Sequence, residues 1–146
     1  MSGIFGMNIK MAIYGESHGK SIGVVLDGLP PGLALDEAKI AAEMARRAPG
    51  QNALSTARKE SDTVEIQSGF FNGFTTGTPL CARIINSDQH SKDYSILADK
   101  MRPGHADYAG YVRYQGFNDY RGGGHFSGRL TAPLVFAGAV AKQVLA

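Results

Sequence analysis

Two histidines, a handful of arginines and a run of glycines mark the places where this sequence can carry chemistry. Gly15-Glu16-Ser17-His18-Gly19 lies between two apolar runs, and its flanking glycines let backbone and imidazole approach a ligand closely. An ordinary turn with a surface histidine is the other reading of the same residues. Arg102-Pro103-Gly104-His105-Ala106-Asp107 combines a fixed cation, a titratable imidazole and a carboxylate, although alone it also reads as a helix cap. Gly122-Gly123-Gly124 leads through His125-Phe126 to Ser127-Gly128-Arg129 at a predicted helix start. There, backbone N–H groups, the positive end of the helix dipole and an arginine suit a phosphate or carboxylate. A flexible linker ending in a serine cap is the alternative. Together, the histidines exchange protons near neutral pH and the arginines hold a polyanion, a combination suited to eliminating phosphate from an acidic substrate.

Other phosphate motifs fit poorly. Gly122–Gly124 lacks the spacing of a dinucleotide-binding loop and follows no strand, and no Walker-type loop occurs. Arg46 and Arg47 close a predicted helix, where compensation of the dipole accounts for at least one of them. Arg58, Lys59 and His90 read as solvated surface groups, and Phe70, Phe71 and Phe74 as residues that pack a sheet rather than stack on a cofactor.

The elements that must position these clusters are mixed in type. Ile9–Tyr14 and Ile22–Leu26 predict two strands around the first cluster. Asp36–Arg47 carries Ile40, Ala41, Met44 and Ala45 at helical spacing, with acids early and arginines late, before Pro49-Gly50. Val64–Ile66 begins a strand that leads through Phe70 and Phe71 to Asn72-Gly73, a pair suited to a two-residue hairpin turn, and Pro79–Ile85 predicts another strand. Asn86–Met101 is polar and is expected to be the most mobile stretch. Arg102 to about Tyr114 predicts a helix, Gly122–Gly124 a hinge, and Leu130–Leu145 a buried helix. That last helix is apolar on nearly every face, so one side of it expects a partner, and no stop signal follows it.

Composition narrows the classes. The 146 residues are 43% hydrophobic and 19% charged, as in soluble globular proteins, and one domain is expected. A net charge of +2 implies neither a nucleic-acid nor a membrane partner, and no apolar run approaches the roughly 18 residues that a spanning helix needs. Cys81 is the only cysteine, which excludes an intrachain disulfide and a cysteine-based metal site and fits a reducing cytoplasm. The chain thus reads as soluble and untargeted.

In order along the chain, these motifs resemble those of chorismate synthases. Gly15-Glu16-Ser17-His18-Gly19 with Ile22, Gly23, Asp27-Gly28 and Pro30 is similar to the family's first signature. Arg46-Arg47, Ser68-Gly69, Thr75-Thr76-Gly77-Thr78-Pro79, Arg102–Tyr108, Asp119–Gly124 and Ser127-Gly128-Arg129 then follow in the family's order. The resemblance implies a lyase of the shikimate pathway that converts 5-enolpyruvylshikimate 3-phosphate to chorismate and phosphate by a 1,4-elimination. It further implies reduced FMN as cofactor, with NADPH as one reductant for it, and a homotetramer. The implied fold is α+β, an antiparallel sheet with packed helices in a layered β-α-β core.

Carried over by residue, the resemblance makes His18 and His105 the proton-transfer groups, His18 toward the departing phosphate and His105 toward the flavin. Ser17, Arg47, Arg102, Gly128 and Arg129 become substrate-binding positions, and Arg47, His105, His125, Phe126 and Ser127 cofactor-binding ones. Three positions depart from the family. His125-Phe126-Ser127 stands where many members have Arg-Ser-Ser, Ala48 where many carry a third arginine, and Ala53 where an arginine often meets the nucleotide phosphate, with Arg58 and Lys59 as replacement cations. Family chains are well over twice as long, so residues 1–146 are expected to be the amino-terminal portion of such a domain, without its carboxy-terminal half. A non-catalytic remnant that folds or binds a partner, and a general anion-binding module, are the other readings.

Overall fold

The computed structural model of the chain describes residues 3–48, 62–87 and 99–146. A five-stranded, wholly antiparallel sheet is its frame, in the order β1-β2-β3-β7-β4. The strands are β1 (Ile4–Phe5), β2 (Lys10–Gly15), β3 (Ser21–Asp27), β4 (Val64–Ser68) and β7 (Leu80–Ile85), while β5 (Phe70–Phe71) and β6 (Phe74–Thr75) form a separate hairpin. Among the described residues three α-helices complete it: α1 (Glu37–Arg47), α2 (Asp107–Arg113) and α3 (Thr131–Val144). The class is α+β, as expected, with one sheet carrying a layer of helices.

Alternation along the two central strands creates the core. Ile22, Val24 and Leu26 of β3 point to one face and stand opposite Ile84, Ala82 and Leu80 of β7, and all six are buried. Phe136 and Val140 of α3 and Ile40 and Met44 of α1 complete the same cluster. Asp36 caps α1, its Oδ1 accepting hydrogen bonds from the N–H groups of Ala38 (3.0 Å) and Lys39 (3.2 Å). Polar contacts pin α1 against α3, with Lys142 Nζ donating to Glu43 Oε1 at 2.6 Å and Gln143 Oε1 accepting from Asp36 N–H at 2.7 Å.

One side of α3 is covered and the other is open. Leu134 and Leu145 are exposed, and an apolar groove of about 260 Å³ runs beside the helix between Met11, Leu26, Leu29, Leu134 and Val140. This matches a helix whose sequence is apolar all round.

Three expectations need correction. Phe71 and Phe74 do not pack the sheet: the register shifts between Ile66 and Ser68, Gly69 adopts φ +78°, and the hairpin swings away, so only Phe70 meets the core. Its turn is as expected, with Asn72 and Gly73 both at positive φ. The element from Arg102 is helical only from Asp107, because Gly104 at φ +78° breaks the chain first. Asn86 does not open a mobile stretch but is buried and hydrogen-bonded; residues 88–98 of that stretch, with His90, lie outside the described residues, as do Ala53, Arg58 and Lys59. Strand β1 was not expected at all, being two exposed residues without a pattern.

Phe136 is the largest fully buried side chain. Phe136→Ala should therefore lower stability by about 3–5 kcal/mol in urea denaturation; a loss below about 1 kcal/mol would place the core elsewhere.

Candidate active site

Burial and close packing converge on the loop between β2 and β3. Ser17 and His18 are buried at 2% and 6% exposure. The Ser17 N–H donates to the Gly124 carbonyl at 3.1 Å, which seats the glycine run on this loop. Gly122 lies against the imidazole: a Cβ there would fall 2.3 Å from His18 Cε1 and 2.4 Å from Nδ1, and its φ of +57° also favours glycine. The glycine run is thus a fixed turn fitted to His18, not a hinge.

A second contact joins the clusters. A Cβ on Gly123 would stand 3.6 Å from Arg102 Nη2, which places the Arg102 guanidinium beside the same turn. Arg102 is held by Asp107 through Nε (2.8 Å) and Nη2 (3.0 Å), and Asp107 also accepts from the Arg102 N–H at 3.0 Å. His105 sits exposed on the intervening turn, its N–H directed at the Arg102 carbonyl at 3.4 Å.

Arg47 and Arg129 also have a carboxylate partner. Arg47 Nη1 donates to Asp62 Oδ2 at 2.7 Å, and its Nη2 reaches the Gly128 carbonyl and Thr131 Oγ1, both at 3.2 Å. Arg129 Nη1 pairs with the other oxygen of Asp62, and its Nε donates to Asn86 Oδ1 at 3.2 Å. Ser127 is a true cap, its Oγ accepting from the Arg129 N–H at 3.3 Å. Arg46, by contrast, stays on the surface with Glu43, as dipole compensation anticipates.

His125 and Phe126 face a different hollow. A cleft of about 330 Å³ lies between Phe5, Ile13, Tyr114, Phe126 and Leu134, with His125 and Ser127 on its wall. His125 Nδ1 meets the Gly15 carbonyl at 2.8 Å, which fixes the imidazole on the cleft wall.

Comparison with known proteins decides what this arrangement belongs to. The family model described as chorismate synthase matches residues 9–146. The chain belongs to the chorismate synthase family. A relative named chorismate synthase from Cytophaga hutchinsonii is 52% identical over 146 residues, covering 100% of this chain and 40% of the relative. One of the same name from Burkholderia multivorans is 56% identical over 146 residues, covering 99% of this chain and 40% of the relative. A solved structure titled as a crystal structure of chorismate synthase superposes with a TM-score of 0.65 at 30% identity, covering 95% of this chain and 34% of that one. The chain therefore spans about 40% of the length of the curated chorismate synthases that it matches.

Sequence reasoning missed Asp62, Asn86 and Asp119 as parts of the site. Asp119 is bound by Arg121 through Nε–Oδ1 (2.9 Å) and Nη2–Oδ2 (2.7 Å). The Arg121 hydrogen bond holds the Asp119 carboxyl below the usual carboxylate range against the opposing effect of burial, and the charge of His18 adds in the same direction. Asp107 is held low in the same way by Arg102. A buried imidazole beside a glycine turn and a carboxylate can hold a proton, and the arginines around it can orient an anion.

Depressed folded-state values mean that Asp119 and Asp107 contribute stability that is fully present above the ordinary value of 3.8 and is lost as pH falls through their lower folded values. Asp119→Asn should flatten the acid limb of Tm below about pH 5; an unchanged limb would show that this pair does not set it. Gly122→Ala should lower stability by about 1–3 kcal/mol and move the His18 imidazole resonances, whereas a silent substitution would contradict the close fit.

Proposed function

We propose that the protein carrying this chain converts 5-enolpyruvylshikimate 3-phosphate to chorismate and phosphate by a 1,4-elimination in aromatic amino-acid biosynthesis. Family membership supports the reaction, and the observation that carries the site assignment is the buried His18 seated against the glycine turn with Arg102 beside it. The Cε1–Nδ1 edge of His18 lies against Gly122, and the histidine delivers a proton to the departing phosphate. Ser17, Arg47, Arg102, Gly128 and Arg129 bind and orient the substrate, with Arg47 and Arg102 more accessible than Arg129, at 20% and 30% against 4% side-chain exposure. His105 acts from the exposed turn that Arg102 anchors.

The cleft walled by Tyr114, His125 and Phe126 fits a flat, largely apolar ring system, and we assign it to reduced FMN. Bound there, reduced FMN would supply transient electron density to the substrate as phosphate leaves. Ile13, Leu130 and Leu134 exclude water from that wall, and His125, fixed by Gly15, positions the ring. NADPH as reductant, a homotetramer and a cytoplasmic setting belong to the same reading. Among the described residues, no helix is long and apolar enough to cross a membrane.

In the whole gene product, His18→Ala and His105→Ala should each lower turnover of 5-enolpyruvylshikimate 3-phosphate by on the order of 10²-fold. His90→Ala should leave it near the parent value. Equal damage from all three variants in a chorismate-release assay would sink the assignment of roles.

A further inference from the structure

The functional reading leaves unused the one carboxylate to which both buried-side arginines turn. Arg47 comes from the end of α1 and Arg129 from the turn just before α3, yet both meet Asp62, whose side chain has 0% exposure. Asp62 keeps its own backbone at φ +48°, a left-handed conformation disfavoured for a residue with a Cβ. Two cations on one anion leave a single positive charge for a bound phosphate.

The line continues past Arg129. Its Nε donates to Asn86 Oδ1 at 3.2 Å, and Asn86 Nδ2 donates in turn to the carbonyls of Glu16 (3.0 Å) and Gly19 (2.8 Å), clasping the loop that holds Ser17 and His18. The Asn86 N–H also donates to the Lys20 carbonyl at 3.2 Å, so the loop is held at both sides. One hydrogen-bonded series thus runs from Asp62 through a guanidinium and an amide to the backbone on either side of His18.

We infer that Asp62 is a positioning residue, which sets the two arginines and, through Arg129 and Asn86, the loop of His18, so that cationic and proton-donating groups meet the substrate phosphate as one unit. This rests on the reaction proposed above for its catalytic consequence, but not for its structural one. A carboxylate that only fills a buried ion pair would lower stability when removed and leave the chemistry of the folded enzyme intact. A positioning carboxylate would change both.

The test is Asp62→Asn, which keeps the shape and removes the charge. In the 146-residue chain at fixed pH, the His18 imidazole resonances should move while those of His105, on its exposed turn, stay. In the whole gene product, once a cooperative urea transition shows the variant folded, kcat should fall by at least about 10-fold. The dissociation constant for inorganic phosphate should stay within about threefold of the parent or tighten, because the arginines lose their counter-charge. Unmoved His18 resonances, or a folded variant with kcat within about twofold of the parent, would overturn the inference. Should Asp62→Asn fail to fold, Asn86→Ala breaks the same series further along, and its kcat decides between the same two outcomes. A parent without turnover would refute the proposed reaction instead, and the His18 resonances alone would then decide the role of Asp62.

Discussion

A carboxylate shut away from water keeps its charge only where cations and donors replace the lost hydration, and the rest of this structure is arranged around that demand at Asp62. The strands alone would not bring α1, α3 and the β2–β3 loop into a common place. The shared ion pair helps to do so, because Arg47 ends α1, Arg129 lies just before α3, and each pairs with one oxygen of the same carboxylate. Packing then follows: with the end of α1 tied to the start of α3 through Gly128 and Thr131, Phe136 and Val140 face Ile40 and Met44 over the sheet. Polar order and apolar order here determine one another.

The site side of the molecule obeys a different constraint, which is space. His18 is close enough to Gly122 that no side chain fits between them, and the turn that makes this possible is held by Ser17 below it and by the Asp119–Arg121 pair beside it. Arg102 approaches the neighbouring glycine. Residues from three distant stretches of chain therefore form one surface only because the glycines between them have nothing to displace.

Local rules made much of the frame legible from sequence. The strand over Ile22–Leu26, the helix from Asp36 to Arg47 and the Asn72-Gly73 turn each depend on neighbours a few residues away, and all were readable. What escaped depends on partners far along the chain. Asp62 lies in an unremarkable polar run and Asn86 opens another, and neither shows its burial until Arg129 is placed between them. Gly122–Gly124 looked like a hinge because nothing nearby reveals that His18 will press on it. Phe71 and Phe74 misled for the opposite reason: their residue type suggests packing, but a register shift and Gly69 carry them off the sheet. The roles of His18 and the arginines were suggested by ordered motifs, while their mutual geometry had to be seen.

The contact between Gly122 and His18 also limits how this sequence can vary. Because a Cβ at position 122 would overlap the imidazole at 2.3 Å, the tolerance of that position depends on what occupies position 18. Shrinking the histidine opens the room that an alanine needs, so the two substitutions should interact rather than add. A survey that changes one residue at a time would record position 122 as intolerant, although part of the restriction belongs to the pair. The glycine is then partly the shadow of the histidine, while its positive φ remains a requirement of its own.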